Sequence, residues 1–305
     1  MFVLAQLSDV HLAPIPPMRV RDASVKRVLG LINWHRGRKR RHLRSVLDLL
    51  VADMMAQRPD HIAVTGDLVN IGLPAELAAA RAWLETLGPP ERVTAIPGNH
   101  DVYGRMRRDP GIARWQPYMS TIADGTDGPG AHQPAFPFVR RLGPIALIGT
   151  STAVHSPPFV ASGRLGLAQR RELGRLLAAL GREGLCRVVL IHHPPLPGQA
   201  GIGRGLSDAA GMAAILAEHG AELVLHGHNH KQTLVFTPGP LGTVPVVGVP
   251  SASASPPAHV PAARYNLFRI ERVGTGWRIA MTGRGLSASA REFLQLETVA
   301  LTMSQ

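Results

Sequence analysis

Five short groups of metal-ligand residues, each set directly after an apolar run, constrain this chain more than any other feature. They read Asp9-Val10-His11, Gly66-Asp67, Gly98-Asn99-His100-Asp101, His192-His193-Pro194 and Gly227-His228-Asn229-His230. The runs before them, residues 2–7, 61–65, 93–96, 188–191 and 222–225, have the length and composition of buried strands. An isolated Gly-Asp is usually a turn, and an isolated His-x-His is often a surface pair. Five such groups at five strand ends describe one site, because sites in open α/β sheets form beyond the carboxyl ends of the strands.

The candidate ligands are Asp9, His11, Asp67, Asn99, His192, His228 and His230. They offer carboxylate oxygen, amide oxygen and imidazole nitrogen but no sulfur. That set suits Mn, Fe, Zn, Co or Ni and argues against a structural thiolate zinc site. Seven donors exceed what one open site takes, and they divide between two divalent ions if one carboxylate bridges. Paired ions about 3.5–4 Å apart recur in enzymes that hydrolyse phosphate esters. Glycine precedes three of the ligands, at Gly66, Gly98 and Gly227, where the chain must turn sharply and come close to the ions.

Strand-like runs alternate with helix-like ones, which predicts an α/β layered architecture. One helix is expected to begin near Arg40, with Leu43, Val46, Leu47, Leu50, Val51 and Met54 on one face. Pro74–Leu87 predicts a second, residues 167–180 a third closed by Gly181, and Ser207 caps a fourth that runs to Glu218. Further strands are expected at Ile145–Gly149 and 244–249, and a hairpin joins 265–270 to 277–281 around Gly274-Thr275-Gly276. Residues 109–137 read as a long irregular loop, and 251–261 as a surface connection. The lone Cys186 lies inside a strand-like run and reads as a core residue.

The chain of 305 residues is 45% hydrophobic and 18% charged, which fits a globular protein with a substantial core. We expect one domain over 1–305, with an insertion at 12–41 and a C-terminal strand extension over 251–305. Its apolar runs fall far short of the roughly 18 residues that span a bilayer. A ligand as early as Asp9 leaves no room for a cleaved leader, so residence in the cytoplasm is the expectation. The formal charge of +12 is uneven: residues 19–44 hold ten Lys or Arg against the single acid Asp22, which gives +9 of it. An anionic partner would meet that segment.

With these blocks in hand, the sequence resembles the calcineurin-like metallophosphoesterase superfamily over residues 4–231. The stretch Pro59-Asp60-His61-Ile62-Ala63-Val64-Thr65-Gly66-Asp67-Leu68 and the block His192-His193-Pro194-Pro195 look closest to its bacterial cyclic nucleotide and glycerophosphodiester phosphodiesterases. The resemblance implies a four-layer αββα sandwich of two mixed sheets flanked by helices. It implies that Asp9, His11, Asp67 and His230 hold one ion, that Asp67 bridges, and that Asn99, His192 and His228 complete the second. A metal-bridging hydroxide would attack phosphorus, with His100 beside the leaving group and Asp101 placed to orient its ring. His193 is read as a supporting or packing residue rather than a ligand. Mn, Fe and Zn are the candidate ions.

The basic insertion bears on the substrate. Val25, Val28, Leu29 and Ile32 form one helical stripe, followed by Trp34 and the cations from Arg36 to Arg41. Such a helix either lies on an anionic membrane or packs on the domain with a solvated basic end. Three readings follow: a hydrolase of a phosphodiester or pyrophosphate bond in a small or lipid-linked substrate, a nuclease, or a non-enzymatic scaffold. A nucleotide-activated lipid would suit a cap both oily and basic. A nucleic-acid substrate fits poorly, since the segment has one aromatic residue and no nucleic-acid fold motif. A scaffold would have lost ligands, and none is lost. Phosphoprotein phosphatase activity is the weaker enzymatic alternative. Residues 197–205 are expected to wall the pocket, with Arg204 near a substrate phosphate.

Overall fold

A computed structural model describes residues 1–104, 109–121, 135–255 and 262–302. The chain starts in strand β1 (Phe2–Leu7) and enters the basic insertion, which carries helix α1 (Val25–Asn33), a widened turn at Trp34–Arg38 and the short α2 (Lys39–Arg41). Then follow α3 (Arg44–Ala56), β2 (His61–Val64), α4 (Pro74–Leu87) and β3 (Val93–Ala95). The second half runs β4 (Phe138–Leu142), β5 (Ile145–Gly149), α5 (Leu167–Arg182), β6 (Cys186–Leu190), α6 (Ala209–His219) and β7 (Leu223–His226). It closes with β8 (Thr233–Gly239), β9 (Gly242–Gly248), β10 (Arg264–Val273), β11 (Gly276–Leu286) and β12 (Phe293–Thr302).

Two six-stranded sheets result, ordered β12-β11-β10-β1-β2-β3 and β4-β5-β6-β7-β9-β8. Both are mixed: β1, β2 and β3 are parallel, as are β5, β6, β7 and β9, while the outer pairs are antiparallel. Side-chain alternation builds the layers. In β5, Ile145 and Leu147 join the large core between the sheets, whereas Ala146 and Ile148 pack with Leu173, Leu177 and Met212 of α5 and α6. In β6, Val188 and Leu190 face the first core and Val189 the second. Strands buried on both faces need unbroken apolar sequence, which is why these runs look as they do. On the other side, Val46, Leu47, Leu50 and Met54 of α3, with Leu77 and Leu84 of α4, cover the first sheet. The four-layer αββα sandwich is therefore the observed fold. Cys186 is buried in β6, where burial pushes its thiol up.

Several boundaries differ from expectation. The helix placed near Arg40 starts at Arg44, because Leu43 and His42 are drawn into extended backbone against residues 253 and 254. Helix α5 runs through Gly181 to Arg182. Asp208, not Ser207, precedes α6, and its carboxylate accepts from Leu165 N and Gly166 N. The loop expected over 109–137 contains a 3-10 turn, Gly111–Tyr118, anchored by buried Trp115 donating to Leu77 O at 2.9 Å; residues 122–134 lie outside the described ones. Ser251 to Ala254 are buried rather than on the surface, with Ala252 N donating to Ser8 O, and 256–261 lie outside the described residues. Among the described residues no helix is long and apolar enough to cross a membrane.

Candidate metal centre

All five groups meet at the carboxyl ends of parallel strands: Asp9 and His11 after β1, Asp67 after β2, Asn99 and His100 after β3, His192 after β6, His228 and His230 after β7. Five of the seven predicted ligands have left-handed backbone: Asp9 (φ 52°), His11 (43°), Asp67 (54°), His228 (69°) and His230 (52°). That conformation is costly for residues with a Cβ and marks a site held by its surroundings. Gly66 (φ 100°) occupies a conformation that side chains avoid, and a Cβ on it would sit 2.5 Å from His192 Nδ1. A Cβ on Gly98 would strike the Asp67 carboxylate, and one on Gly227 would strike Ser8 Oγ and the Asp9 carboxylate.

The carboxylates divide their oxygens between scaffold and site. Asp9 Oδ2 accepts from His228 N at 2.9 Å and Asp67 Oδ1 accepts from His100 N at 2.8 Å. Each pins a loop and turns its other oxygen inward. The histidines behave alike: His11 Nδ1 donates to Val69 O (3.1 Å) and His192 Nδ1 to Thr65 O (2.8 Å), which presents both Nε2 lone pairs to the basin.

The inward atoms form two groups. In the first, His11 Nε2 lies 3.3 Å from His230 Nε2, which is 3.1 Å from Asp9 Oδ1, and Asp67 Oδ2 is 4.0 Å from His11 Nε2. In the second, Asn99 Oδ1 is 2.9 Å from His228 Nδ1 and 3.3 Å from His192 Nε2, which is 3.4 Å from Asp67 Oδ2. Separations near 3 Å are those of neighbouring ligands about 2.1 Å from one ion. Asp9 Oδ1 is buried and no well-aligned donor reaches it, as expected of an oxygen reserved for a cation. Asp67 Oδ2 belongs to both groups. The donor set therefore fits two divalent ions, and it brings together every ligand expected from the sequence.

Electrostatics agree. Burial works to raise the Asp9 carboxyl, but the attraction of His230 wins and brings it down to about 2. Asp67 is likewise held well below the usual carboxylate range by His192 and His100 despite burial. Burial depresses His11 well below its ordinary value, with Arg38 adding to it, and takes His228 down to about 3, whereas the Asp67 carboxylate overcomes burial at His192 and raises it to about 9, an attraction that a cation between the two would replace. Neutral imidazoles are the form that binds metal.

Two assignments change. Asp101 does not orient His100. Its Oδ1 accepts from Leu68 N (2.9 Å) and Val69 N (3.0 Å) and its Oδ2 from Gly98 N (2.8 Å), so it ties the Asp67 loop to the Asn99 loop. The His100 ring is oriented by Asn70, whose carbonyl accepts from Nδ1. Trp34 is buried and does not extend the exposed stripe of α1. His193 is held at both nitrogens, by Thr152 Oγ1 (2.7 Å) and Ala161 O (3.0 Å), a supporting position against the His228 ring.

The cleft over the basin has a volume of about 320 Å³ and its wall includes Arg38, Arg41, Arg204, His42, His100 and Ala161. Arg38 donates to His11 Nε2 (3.1 Å) and His100 Nε2 (3.3 Å). Sequence reasoning passed over Arg38 and His42. Arg38 was one cation among ten in its segment, and nothing local marks which of them turns inward.

The sequence pattern described as calcineurin-like phosphoesterase matches residues 2–232. The chain belongs to that family. It is similar to a probable cyclic nucleotide phosphodiesterase of Synechococcus, 27% identical over 75% of this chain and 73% of that protein. It is also similar to the glycerophosphodiester phosphodiesterase GpdQ of Enterobacter lignolyticus, 29% identical over 63% of each. Among solved structures, a dimetal phosphatase from Danio rerio shares the fold, with a TM-score of 0.63 at 15% identity over 99% of both chains. The calcineurin-like phosphoesterase described here is thus a metal-dependent hydrolase of phosphate esters, with His/Asp clusters able to hold two ions.

Proposed function

We propose that this chain hydrolyses a phosphodiester or pyrophosphate bond in an amphiphilic, lipid-linked substrate. The observation that carries this reading is the chemistry around the mouth of the cleft. Exposed Val25, Val28 and Ile32 of α1 run up to Asn33, which lines the cleft. Phe159 (90% exposed) precedes Ala161 by two residues, and Ile202 (fully exposed) precedes Arg204 by two; Ala161 N donates to Gly203 O. Lys26 Nζ donates to Ser156 O at 2.9 Å, joining α1 to the Phe159 loop. An apolar rim, set one or two residues along the chain from lining positions, thus borders a cationic throat, which suits an acyl chain next to a phosphate. The same rim, with exposed Arg36, Lys39, Arg40 and Arg41, supports peripheral contact of residues 19–44 with an anionic membrane from the cytoplasmic side.

In this reading Asp9, His11, Asp67 and His230 hold one ion and Asn99, His192 and His228, with Asp67 shared, the other. When bound, the ions supply a deprotonated water and neutralise the phosphoryl charge. Arg38, Arg41 and Arg204, which line the same cleft, orient the phosphate. Arg38 leaves His11 to do so, since one nitrogen lone pair serves either a guanidinium or a cation. Burial holds His100 down to about 4, and a phosphate anion beside it opposes that effect. With its Nδ1–H held by Asn70 O, His100 would take up a solvent proton on Nε2 and pass it to the departing oxygen. Relatives named for cyclic nucleotides and glycerophosphodiesters favour a second reading, a small water-soluble diester.

One assay separates the two. With Mn²⁺ added, the Phe159→Ser/Ile202→Ser double variant is compared with wild type on a chromogenic diester in solution and on a nucleotide-linked lipid in anionic vesicles. We expect a tenfold or greater loss on vesicles and an unchanged rate in solution. Equal rates on both, or failure of wild type on the lipid while cyclic nucleotides are cleaved, would overturn the amphiphilic reading.

A further inference from the structure

The residue directly after the basic insertion brings a side chain to the metal basin that no sequence block announces. His42 sits between α2 and α3, and its position is fixed by backbone pairing with a strand-end segment of the core. It forms an antiparallel bridge with Ala254, Leu43 N donates to Ser253 O at 3.0 Å, and Ser255 N donates to Arg41 O at 2.6 Å. The ring is buried. Its Nδ1 lies 2.9 Å from Ser253 Oγ, and neighbouring Ser251 Oγ donates to Asp9 O at 2.6 Å. With Nδ1–H donating to Ser253, the Nε2 lone pair is left for the basin. This is the arrangement that His11 and His192 adopt with their backbone carbonyls.

The ring meets His11 and His230 edge-on, with centroids 4.6 Å and 5.6 Å away. One ligand atom from each of His11, His42 and His230 lies within 4.8 Å of the other two. Ligands on opposite sides of an ion with bonds of about 2.1 Å stand about 4.2 Å apart, so a shift of about half an ångström brings the three onto one centre.

We propose that His42 is an additional nitrogen donor to the first metal site, alongside Asp9, His11, Asp67 and His230, so that loading this site fastens the basic insertion over the cleft. The inference rests on the two-ion reading and goes beyond it. It makes the insertion part of the metal centre rather than a separate substrate cap. The group it addresses is a borderline divalent cation such as Mn²⁺, Co²⁺ or Zn²⁺, the class that imidazole nitrogen suits.

The test is cobalt binding by the full chain, followed by calorimetric titration and by the visible absorption of bound Co²⁺. Wild type should bind two ions. His42→Ala should weaken one of the two sites about tenfold or more and change its absorption band, leaving the other site alone. Asn99→Ala should affect the opposite site, which assigns the two. His42→Gln keeps the size and a hydrogen-bonding group toward Ser253; it should show the same selective loss even where the alanine variant fails to fold. Unchanged affinities and an unchanged cobalt spectrum in both His42 variants would overturn the inference, as would a loss confined to turnover, which would make His42 a substrate contact. If wild type itself binds no cobalt, it is the two-ion reading that fails, and the outcomes are thereby distinguishable.

Discussion

Gly98→Ala tests whether the site depends on backbone approach as closely as the structure indicates. The added Cβ would stand 2.5 Å from Asp67 N and 2.8 Å from Asp67 Cγ, besides striking a carboxylate oxygen. Ordinary contact begins near 3.4 Å. The Asp67 loop must therefore retreat by about 0.9 Å, and it cannot do so by a rotamer change, because backbone is one of the clashing groups. Overpacking of this kind costs about 1–3 kcal/mol of stability. The larger effect falls on chemistry: Asp67 Oδ2 belongs to both ligand groups, and misplacement by about 1 Å costs on the order of a hundredfold in rate. We expect the variant to fold, to melt a few degrees lower, and to lose two orders of magnitude in Mn²⁺-dependent diester hydrolysis with weaker binding at both sites. Gly276→Ala is the control, since its Cβ meets only Val273 O at 3.9 Å in the distant β10–β11 hairpin. Full turnover and wild-type binding of two ions by Gly98→Ala would refute the reasoning, because the loop would then have slack that the geometry denies.

Three further outcomes are expected. Asp101→Asn turns an amide NH₂ toward one of three backbone donors now accepted by the carboxylate, and metal affinity should fall 10–100-fold; a normal affinity with only the His100 proton transfer impaired would restore the ring-orienting role. His61, hydrogen-bonded to Thr94 and far from the metal basin, is pushed down to about 3 by burial and by Arg140. The unfolded chain takes up that proton below about 6.5 while the folded one resists it, so this stability is present above 6.5 and drains as pH falls toward 3, at about 1.4 kcal/mol per unit. His61→Gln should flatten the denaturation-versus-pH slope by that amount, and an unchanged slope would refute it. Chelation should lower the melting temperature, since an ion at a hundred times its dissociation constant adds about 2.7 kcal/mol; identical melting with EDTA and with excess Mn²⁺ would count against a resident metal.

The convergence of the candidate ligands was readable in the sequence because strand ends, glycines and donor residues coincide within four or fewer residues, and the fold then has few ways to arrange them. Orientation was less readable. Helix α1 has two candidate faces at helical spacing, Val25, Val28 and Ile32, and Arg27, Gly30 and Trp34. Apolarity favours the first as the buried one, yet the second packs inward. Arg27 donates to Ile71 O (3.2 Å), Gly72 O (2.6 Å) and Asp22 O (2.8 Å), and Gly30 lets Ile71 and Tyr103 come close. A buried arginine satisfied by carbonyls carries no local signature, because two of its three partners lie some forty-five residues away. Strands β4 and β8 were missed, and β12 was given no bounds within the expected C-terminal strand extension, for a related reason: they are edge strands, and most of their residues are half-buried or exposed. Asp101 was given to the wrong partner since adjacency in Gly98-Asn99-His100-Asp101 suggests contact with His100, while the turn closed by Asp101 N donating to Gly98 O sends its carboxylate back toward Leu68 and Val69.

The same distinction between spacing and contact governs the basic insertion. Its charge is legible as a total, but its action depends on which two residues turn inward. His11 Nε2 is reached by Arg38 at 3.1 Å and by His230 at 3.3 Å. A lone pair has one direction, so the guanidinium and a cation compete for it. In the proposed function, occupation of the first site would release Arg38 toward the cleft that it lines. Metal loading and substrate orientation would then be linked through a single nitrogen, by residues separated along the chain by a whole helix.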